Sequence, residues 1–322
     1  MHVTIVMPAY NVAGFIGVAV ESVLAQTHRD WTLIIIDDGS SDGTAAVAAG
    51  FRDPRIRLLR QSNSGVSAAR NRGIGMLDGA AVMFLDADDW LAPDALDRLL
   101  GTLAAAPEAI AAYGAHCFVT EDGRVRVASK TGPFPEGDIL ERLLVQNQFA
   151  NGGHMLIRTA AVHRAVGFRG DLTYGEDWEF WCRVATQGRF AAVAGPAPLL
   201  FVRQRGGSAM LRCARDPRAF GPCMEAIFKD PALRARLGAP RLAALRRQAE
   251  AENCWIVGRE LIRHGRRAEG LAWLRRSVLR RPSGRRALLF AAALLLPLLP
   301  MKLRGPFRRY RTGLTPALKP IN

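Results

Sequence analysis

Short apolar runs alternate with helically spaced apolar positions along the first 110 residues. Runs at 3–7, 33–36 and 80–85 are rich in β-branched and other apolar residues and too short for helices, so the pattern predicts buried strands there and a further strand at 55–60. Between them the spacing predicts helices at 13–26, 43–50 and 66–77, with another starting near Pro93. Further on, 109–119 and 124–128 flank Glu121-Asp122-Gly123, a hairpin turn signal. A strand at 154–158, an amphipathic helix at 176–187 and a last strand at 199–202 follow. From Asp216 onward the pattern is helical, with a hairpin of helices over 249–281 broken at Gly265.

Strands separated by helices of this length imply right-handed crossovers and an α/β fold built on a mostly parallel sheet. Such sheets bind ligands beyond the carboxyl ends of their strands. Three polar clusters fall there: Pro8-Ala9-Tyr10-Asn11, Asp37-Asp38-Gly39-Ser40 and Asp86-Ala87-Asp88-Asp89. The last places three carboxylates in four residues after an apolar run, a cluster that repels itself unless a cation or proton offsets it. Hard oxygen donors at this spacing suit Mg²⁺ or Mn²⁺. Read without a ligand, the same residues are a solvated turn in which Asp89 or Asp94 caps the next helix.

Charge divides the chain more sharply than hydropathy does. Residues 1–217 hold 21 Lys and Arg against 23 Asp and Glu, net −2; residues 218–322 hold 23 against 6, net +17, together the +15 of the whole chain. A catalytic region over 1–215, with halves 1–110 and 111–215, and a basic helical region over 216–322 are therefore expected. The five cysteines are scattered, with no C-x-x-C pair, which argues against a disulfide framework or structural zinc site. The opening residues run straight into a strand pattern without the basic and apolar regions of a secretory signal, so a cytoplasmic protein is expected. Residues 287–301 are apolar with basic flanks, but fifteen residues containing Pro297 and Pro300 fall short of the ~20 needed to cross a bilayer. Two readings stay open for this stretch: a helix lying in an anionic membrane surface, or one packed on the catalytic region.

Five motifs stand in order: Val3 to Asn11, Ile35 to Thr44 (Ile-Ile-Asp-Asp-Gly-Ser-Ser-Asp-Gly-Thr), Asn63 to Gly73 (Asn-Ser-Gly-Val-Ser-Ala-Ala-Arg-Asn-Arg-Gly), Leu85 to Asp89 and Gly175 to Trp178. Together they resemble the family 2 glycosyltransferases over about residues 1–210. The resemblance implies a GT-A fold with a Rossmann-like nucleotide-binding half, inversion at the anomeric carbon, a nucleotide-sugar donor (a UDP-sugar foremost) and a divalent metal. It implies that Tyr10 packs on uracil and that Pro8 belongs to the donor site. A carboxylate at Asp38 matches the imide donor of a pyrimidine, and Arg70 is placed to hold a phosphate or, alternatively, to pair with Asp86 or Asp88. Asp88 is the expected metal ligand, with Asp86 on the donor. By resemblance Asp177 is the general base; acids at 176 and 177 also suit a helix N-terminus. Glu176 and Trp178 are candidates for the acceptor side, whereas Trp181 is expected in the core.

Two departures stand out. Relatives carry a histidine near the end of the catalytic region that joins the metal; here Arg205 occupies that place and is expected against the pyrophosphate instead, since a guanidinium does not ligate a cation. The Gln-x-x-Arg-Trp motif and multiple spans of processive synthases are missing, which favours a single addition to a growing surface glycan or lipid-linked acceptor. The competing readings are a nucleic-acid binder using the basic third, weakened by its few aromatics, and a catalytically silent nucleotide-sugar binder, weakened by the full set of acids.

Overall fold

The computed structural model describes residues 1–205, 216 and 218–295. The chain divides into two compact units, Met1–Leu143 with Gln148–Gln204, and Leu144–Asn147 with the residues from Arg205 onward.

The first unit is an α/β fold around a seven-stranded sheet in the order β10-β6-β9-β4-β1-β2-β3. Its centre is β1 (Val3–Ala9), β2 (Trp31–Asp37), β3 (Ile56–Arg60) and β4 (Ala81–Phe84), all parallel. Every residue of β1, β2 and β4 is buried, as expected of parallel strands covered on both faces. The crossovers are α1 (Ile16–Leu24), α2 (Thr44–Ala49) and α3 (Val66–Ile74). In-register pairing of Ala9 with Asp37, and the bond from the Leu85 N–H to Val6 O at 3.0 Å, bring the carboxyl ends of β1, β2 and β4 to one edge.

Helix α4 (Ala95–Ala105) buries Ala95, Leu96, Leu99 and Leu103, a helical stripe, against the sheet. The sheet is completed by β6 (Ala109–Tyr113), β9 (Met155–Arg158) and β10 (Arg189–Ala192); β9 runs antiparallel to both β4 and β6. The strand expected over 109–119 is two strands. Gly114 lies so close to Leu199 and Val193 that a Cβ there would stand 2.9 Å from Leu199 Cδ1. Beyond it the chain turns into a second sheet, β5-β11-β7-β8, made of β5 (Trp90–Leu91), β7 (His116–Val119), β8 (Arg126–Lys130) and β11 (Leu200–Arg203). The expected hairpin is β7–β8, turning at Gly123 with φ 74°. Helices α5 (Leu140–Val145) and α6 (Thr159–Arg164) and strands β5 and β10 are short and carry no clear period in the sequence; α7 is Glu176–Ala185.

The second unit is helical: α8 (Phe220–Phe228), α9 (Pro231–Leu237), α10 (Ala239–Arg263), α11 (Arg267–Arg280) and α12 (Gly284–Leu295). The hairpin expected over 249–281 is α10–α11, with α10 starting ten residues earlier, at Ala239. Its turn closes as a Schellman motif: Gly265 takes φ 87°, its N–H donates to Ile262 O and the Arg266 N–H donates to Leu261 O. The helices cross at glycines, since a Cβ on Gly258 would meet Gly270 O at 2.8 Å. Residues 296–301 of the apolar stretch lie outside the described residues. No described helix is long and apolar enough to cross a membrane.

Helix α3 is seated on β1 through Gly73, where a Cβ would stand 2.3 Å from Val6 Cγ1. Gly73→Ala is expected to lower the unfolding free energy by about 1–3 kcal/mol. Gly101→Ala, on α4 where nothing lies within 4 Å, should instead be neutral or raise it by up to about 1 kcal/mol. Urea midpoints of the two variants test the seating of α3.

Candidate active site

The site edge is shaped by carboxylates that hold loops. Asp37, fully buried at the end of β2, accepts from the Ser40 N–H at 3.1 Å and from Arg60 Nε at 3.0 Å. Asp38 accepts from Gln61 Nε2 at 2.7 Å and the Ser64 N–H at 2.9 Å on one oxygen, and from the Gly65 N–H at 2.8 Å on the other. It thus ties the β2 loop to the segment leading into α3. Gly39 makes the approach possible: at φ 73° its Cα lies where a Cβ would be 2.7 Å from Asn63 N. The sequence directs Asp38 at a pyrimidine; three of its acceptor positions are instead taken by this loop, leaving one on Oδ2. Tyr10, just past β1, is half-exposed at 50% and free to present a ring face. Pro8 is buried inside β1 opposite Ile36, so it shapes the strand end and offers no contact surface.

Arg70 on α3 is buried and donates to Asp86 Oδ1 at 2.9 Å and to Glu176 Oε1 at 3.1 Å. Its guanidinium lies over Phe168, 5.1 Å from the ring centroid. Of the two roles read from sequence, pairing with Asp86 is what the geometry displays. The pair joins the acidic turn after β4 to the N-terminus of α7, bringing the Asp86–Asp89 and Gly175–Trp178 motifs together across about 90 residues of sequence.

Within the acidic turn the three carboxylates part company. Asp89 points inward, accepting from the Arg203 N–H at 2.8 Å and from Asn151 Nδ2 at 2.5 Å. It caps no helix. Burial and then the negative charges of Asp88 and Asp86 push its carboxyl well above the usual carboxylate range. Asp86 and Asp88 are only partly buried. Asn151 reaches Asp86 as well, at 3.3 Å, and the Arg203 Nε donates to Asp88 O at 3.0 Å. The Arg203 guanidinium also bonds Glu121 O and lies over Trp90 and Phe15. Asn151 and Arg203 are therefore the supports of the turn that sequence reading missed. Asn151-Gly152-Gly153 carries a turn signal, but nothing in it points back some 60 residues to Asp89.

Asp177 stands in the first turn of α7, which opens on Gly175 at φ 76°. Burial, then the adjacent Glu176 charge, push its carboxyl up to about 7 against the pull of Arg70. Trp178 does not serve as an acceptor platform: its ring is buried and its Nε1 donates to Leu143 O at 2.6 Å. Trp181 is buried against Phe84, Phe149 and Phe168, as expected. Arg205 is the first residue after Gln204 to belong to the second unit.

Among the described residues no group of three or more His, Cys, Asp or Glu is arranged to hold a metal ion. A site completed by a ligand is different. Mg²⁺ and Mn²⁺ commonly take one or two carboxylates and fill their remaining positions with phosphate and water. Asp86 and Asp88, partly open and crowded by a third carboxylate that is raised by them, fit that use.

A mostly parallel sheet with acids gathered at one strand edge places the first unit among the α/β folds, and the comparisons with known proteins narrow it. The model of glycosyl transferase family 2 matches residues 4–166, half of the chain, and the chain belongs to this family of glycosyltransferases. The succinoglycan biosynthesis protein ExoO of Rhizobium meliloti is 33% identical over 223 residues, covering 65% of this chain and 63% of ExoO. Glycosyltransferase GlyA of Streptococcus pneumoniae is 34% identical over 99 residues, 30% of this chain and 14% of GlyA. Both matches span less than two thirds of the relative's own length. In fold, the chain is similar to S. aureus TarS in complex with UDP, at a TM-score of 0.57 and 16% identity over 91% of this chain and 87% of that one. It is also similar to the mannosyltransferase PcManGT of Pyrobaculum calidifontis in complex with GDP-Man and Mn²⁺, at 0.57 and 20% identity over 92% and 81%.

The acid–base arrangement has consequences for stability. Asp177 titrates near 3.8 outside this environment and near 7 within it, so the folded state binds the proton more tightly. Its contribution is present below about pH 4 and is lost as pH rises through about 7. Asp177→Asn is expected to flatten that part of the stability–pH curve. Arg70→Met, which strands Asp86 and Glu176 beside Asp177, should cost about 3 kcal/mol at neutral pH and less in acid. Urea unfolding from about pH 4 to 8 reads both; an unchanged slope in Asp177→Asn would remove the titration assigned to it.

Proposed function

We propose that the protein is an inverting glycosyltransferase that moves one sugar from a nucleotide-sugar, foremost a UDP-sugar, to a hydroxyl of a growing glycan or lipid-linked acceptor. The observation that carries this reading is the bridge of Arg70 between Asp86 and Glu176, which sets the acidic turn beside a carboxylate, Asp177, whose proton affinity is raised to about 7. The family and the UDP and GDP-Man complexes of similarly folded proteins support the donor class. The name of the ExoO relative, a succinoglycan biosynthesis protein, supports a glycan acceptor.

In this mechanism the half-exposed Tyr10 stacks on the base, and the free acceptor position of Asp38 receives a base or ribose donor while its other bonds keep the 61–65 loop in place. Asp88, with Asp86 next to it, would hold Mn²⁺ or Mg²⁺, which when bound offsets charge on the departing diphosphate. Asn151 and Arg203 hold the turn so that Asp88 keeps its aim. Asp177 takes the proton of the acceptor hydroxyl as that oxygen attacks the anomeric carbon from the face opposite the leaving group. A base poised near neutral pH is effective because a substantial fraction is ionised at working pH while it is still basic enough to accept a proton. Arg70 holds the neighbouring Glu176 in an ion pair, so the proton is taken at Asp177.

Nucleotide release from UDP-, GDP- and dTDP-sugars with Mn²⁺ or Mg²⁺ tests the donor class, and chelation with EDTA should abolish it. Asp88→Ala is expected to lose at least about 100-fold in kcat/KM, and Asp177→Asn about 10²–10⁴-fold. The pH profile of kcat/KM should fall below about pH 7 as Asp177 takes up its proton. Wild-type transfer rates in Asp177→Asn would show that the base lies elsewhere.

A further inference from the structure

Helix α12 is apolar on two sides, and the fold uses one of them. Ala293 and Phe290 face inward onto Ile262 and Leu274, and Arg286 is anchored by Glu252 and by Ser277 Oγ at 3.1 Å. The opposite stripe, Ala287, Leu288, Ala291, Leu294 and Leu295, recurs at helical spacing and is exposed, Leu288 at 71% and Leu295 at 51%. A helix that is apolar on both sides is normally covered on both. The sequence on either side of the stripe is strongly positive. No Asp or Glu follows Glu269, whereas residues 270–322 carry twelve Lys and Arg. Arg275, Arg276, Arg280, Arg281 and Arg285 are exposed on α11 and at the start of α12. Glu250 and Glu252 lie near Arg280 and Arg281, but Arg275 and Arg285 make no ion pair among the described residues.

We propose that the outer face of α12, rimmed by these arginines, docks on an anionic lipid surface. The leucines would enter the boundary between headgroups and acyl chains while the guanidinium groups stay among the phosphates. Neither element suffices alone. The described helix is too short to span a bilayer, and an arginine rim without the leucines would bind any polyanion. An apolar stripe beside a strong excess of cations is the pairing that an anionic interface matches. The inference is independent of the transfer chemistry, since it rests on residues outside the site described above.

Co-sedimentation of the full chain with phosphatidylglycerol–phosphatidylcholine vesicles and with pure phosphatidylcholine vesicles tests this, with a DNA duplex titrated in parallel. Binding is expected to the anionic vesicles, weaker at high salt and on neutral vesicles. The double variant Leu288→Glu with Leu295→Glu should weaken vesicle binding at least about tenfold, and Arg275→Gln with Arg285→Gln should weaken it on anionic vesicles. Helical content and nucleotide release by both variants should remain as in the wild type, which separates loss of docking from loss of fold or catalysis. The proposal is overturned if the wild type ignores anionic vesicles. It is equally overturned if the leucine variant binds them unchanged, which would leave DNA or a non-specific polyanion as the partner. A wild-type dimer that the leucine variant dissolves, with no vesicle binding, would assign the stripe to a second copy of the chain.

Discussion

The ion bridge made by Arg70 is the contact on which the site depends. A guanidinium buried on α3 holds one carboxylate at the end of β4 and another at the start of α7, two elements that share no sequence neighbourhood. Removing a charge from water is costly unless its partners are close and its geometry fixed. Here the planar fork of arginine satisfies two acids at once, which a lysine point charge would not do as well. The same cation moderates Asp177, whose proton affinity burial and Glu176 raise. One side chain thus contributes to both the structure and the acid–base chemistry of the site.

A second layer of constraint surrounds it. The carboxylates of the strand ends work mainly on their own backbone: Asp37 on the turn at Ser40, Asp38 on the 61–65 loop, Asp89 on the strand end at Arg203. Each replaces water with backbone N–H donors in a place where an unsatisfied carboxylate would be costly. Asp86 and Asp88, the acids proposed to meet the donor and the metal, are left partly open on a turn braced by Asn151 and Arg203. Rigid support of a few open carboxylates is what metal and phosphate chemistry require.

Buried parallel strands and amphipathic helices have periods that one chain segment carries by itself, so β1 to β4, α1 to α4 and the α10–α11 hairpin are legible in the amino-acid pattern. Short elements are not. Strands β5 and β10 have two and four residues, and their existence depends on partners far along the chain. The division of 109–119 into two sheets turns on the closeness of Leu199 to Gly114, a contact that no local pattern records. Site residues show the same divide. Asp88, Asp177 and Tyr10 stand out by motif, whereas Trp178, an aromatic next to an acid and so a candidate for the acceptor side, is core.

By itself, the sequence determined the fold class, the order of the motifs, the strand edge where they meet and the contrast in charge between residues 1–217 and 218–322. All of these follow from hydrophobic period, turn chemistry and charge, which act over a few residues. Only the tertiary structure decided which carboxylates are spent on loops and which stay open, that Arg70 is shared by two acids, and that Asn151 and Arg203 brace the acidic turn. Hydrogen-bond partners and desolvation depend on what packs across the sheet edge, and residues some 60 to 115 positions apart are brought together there by the fold alone.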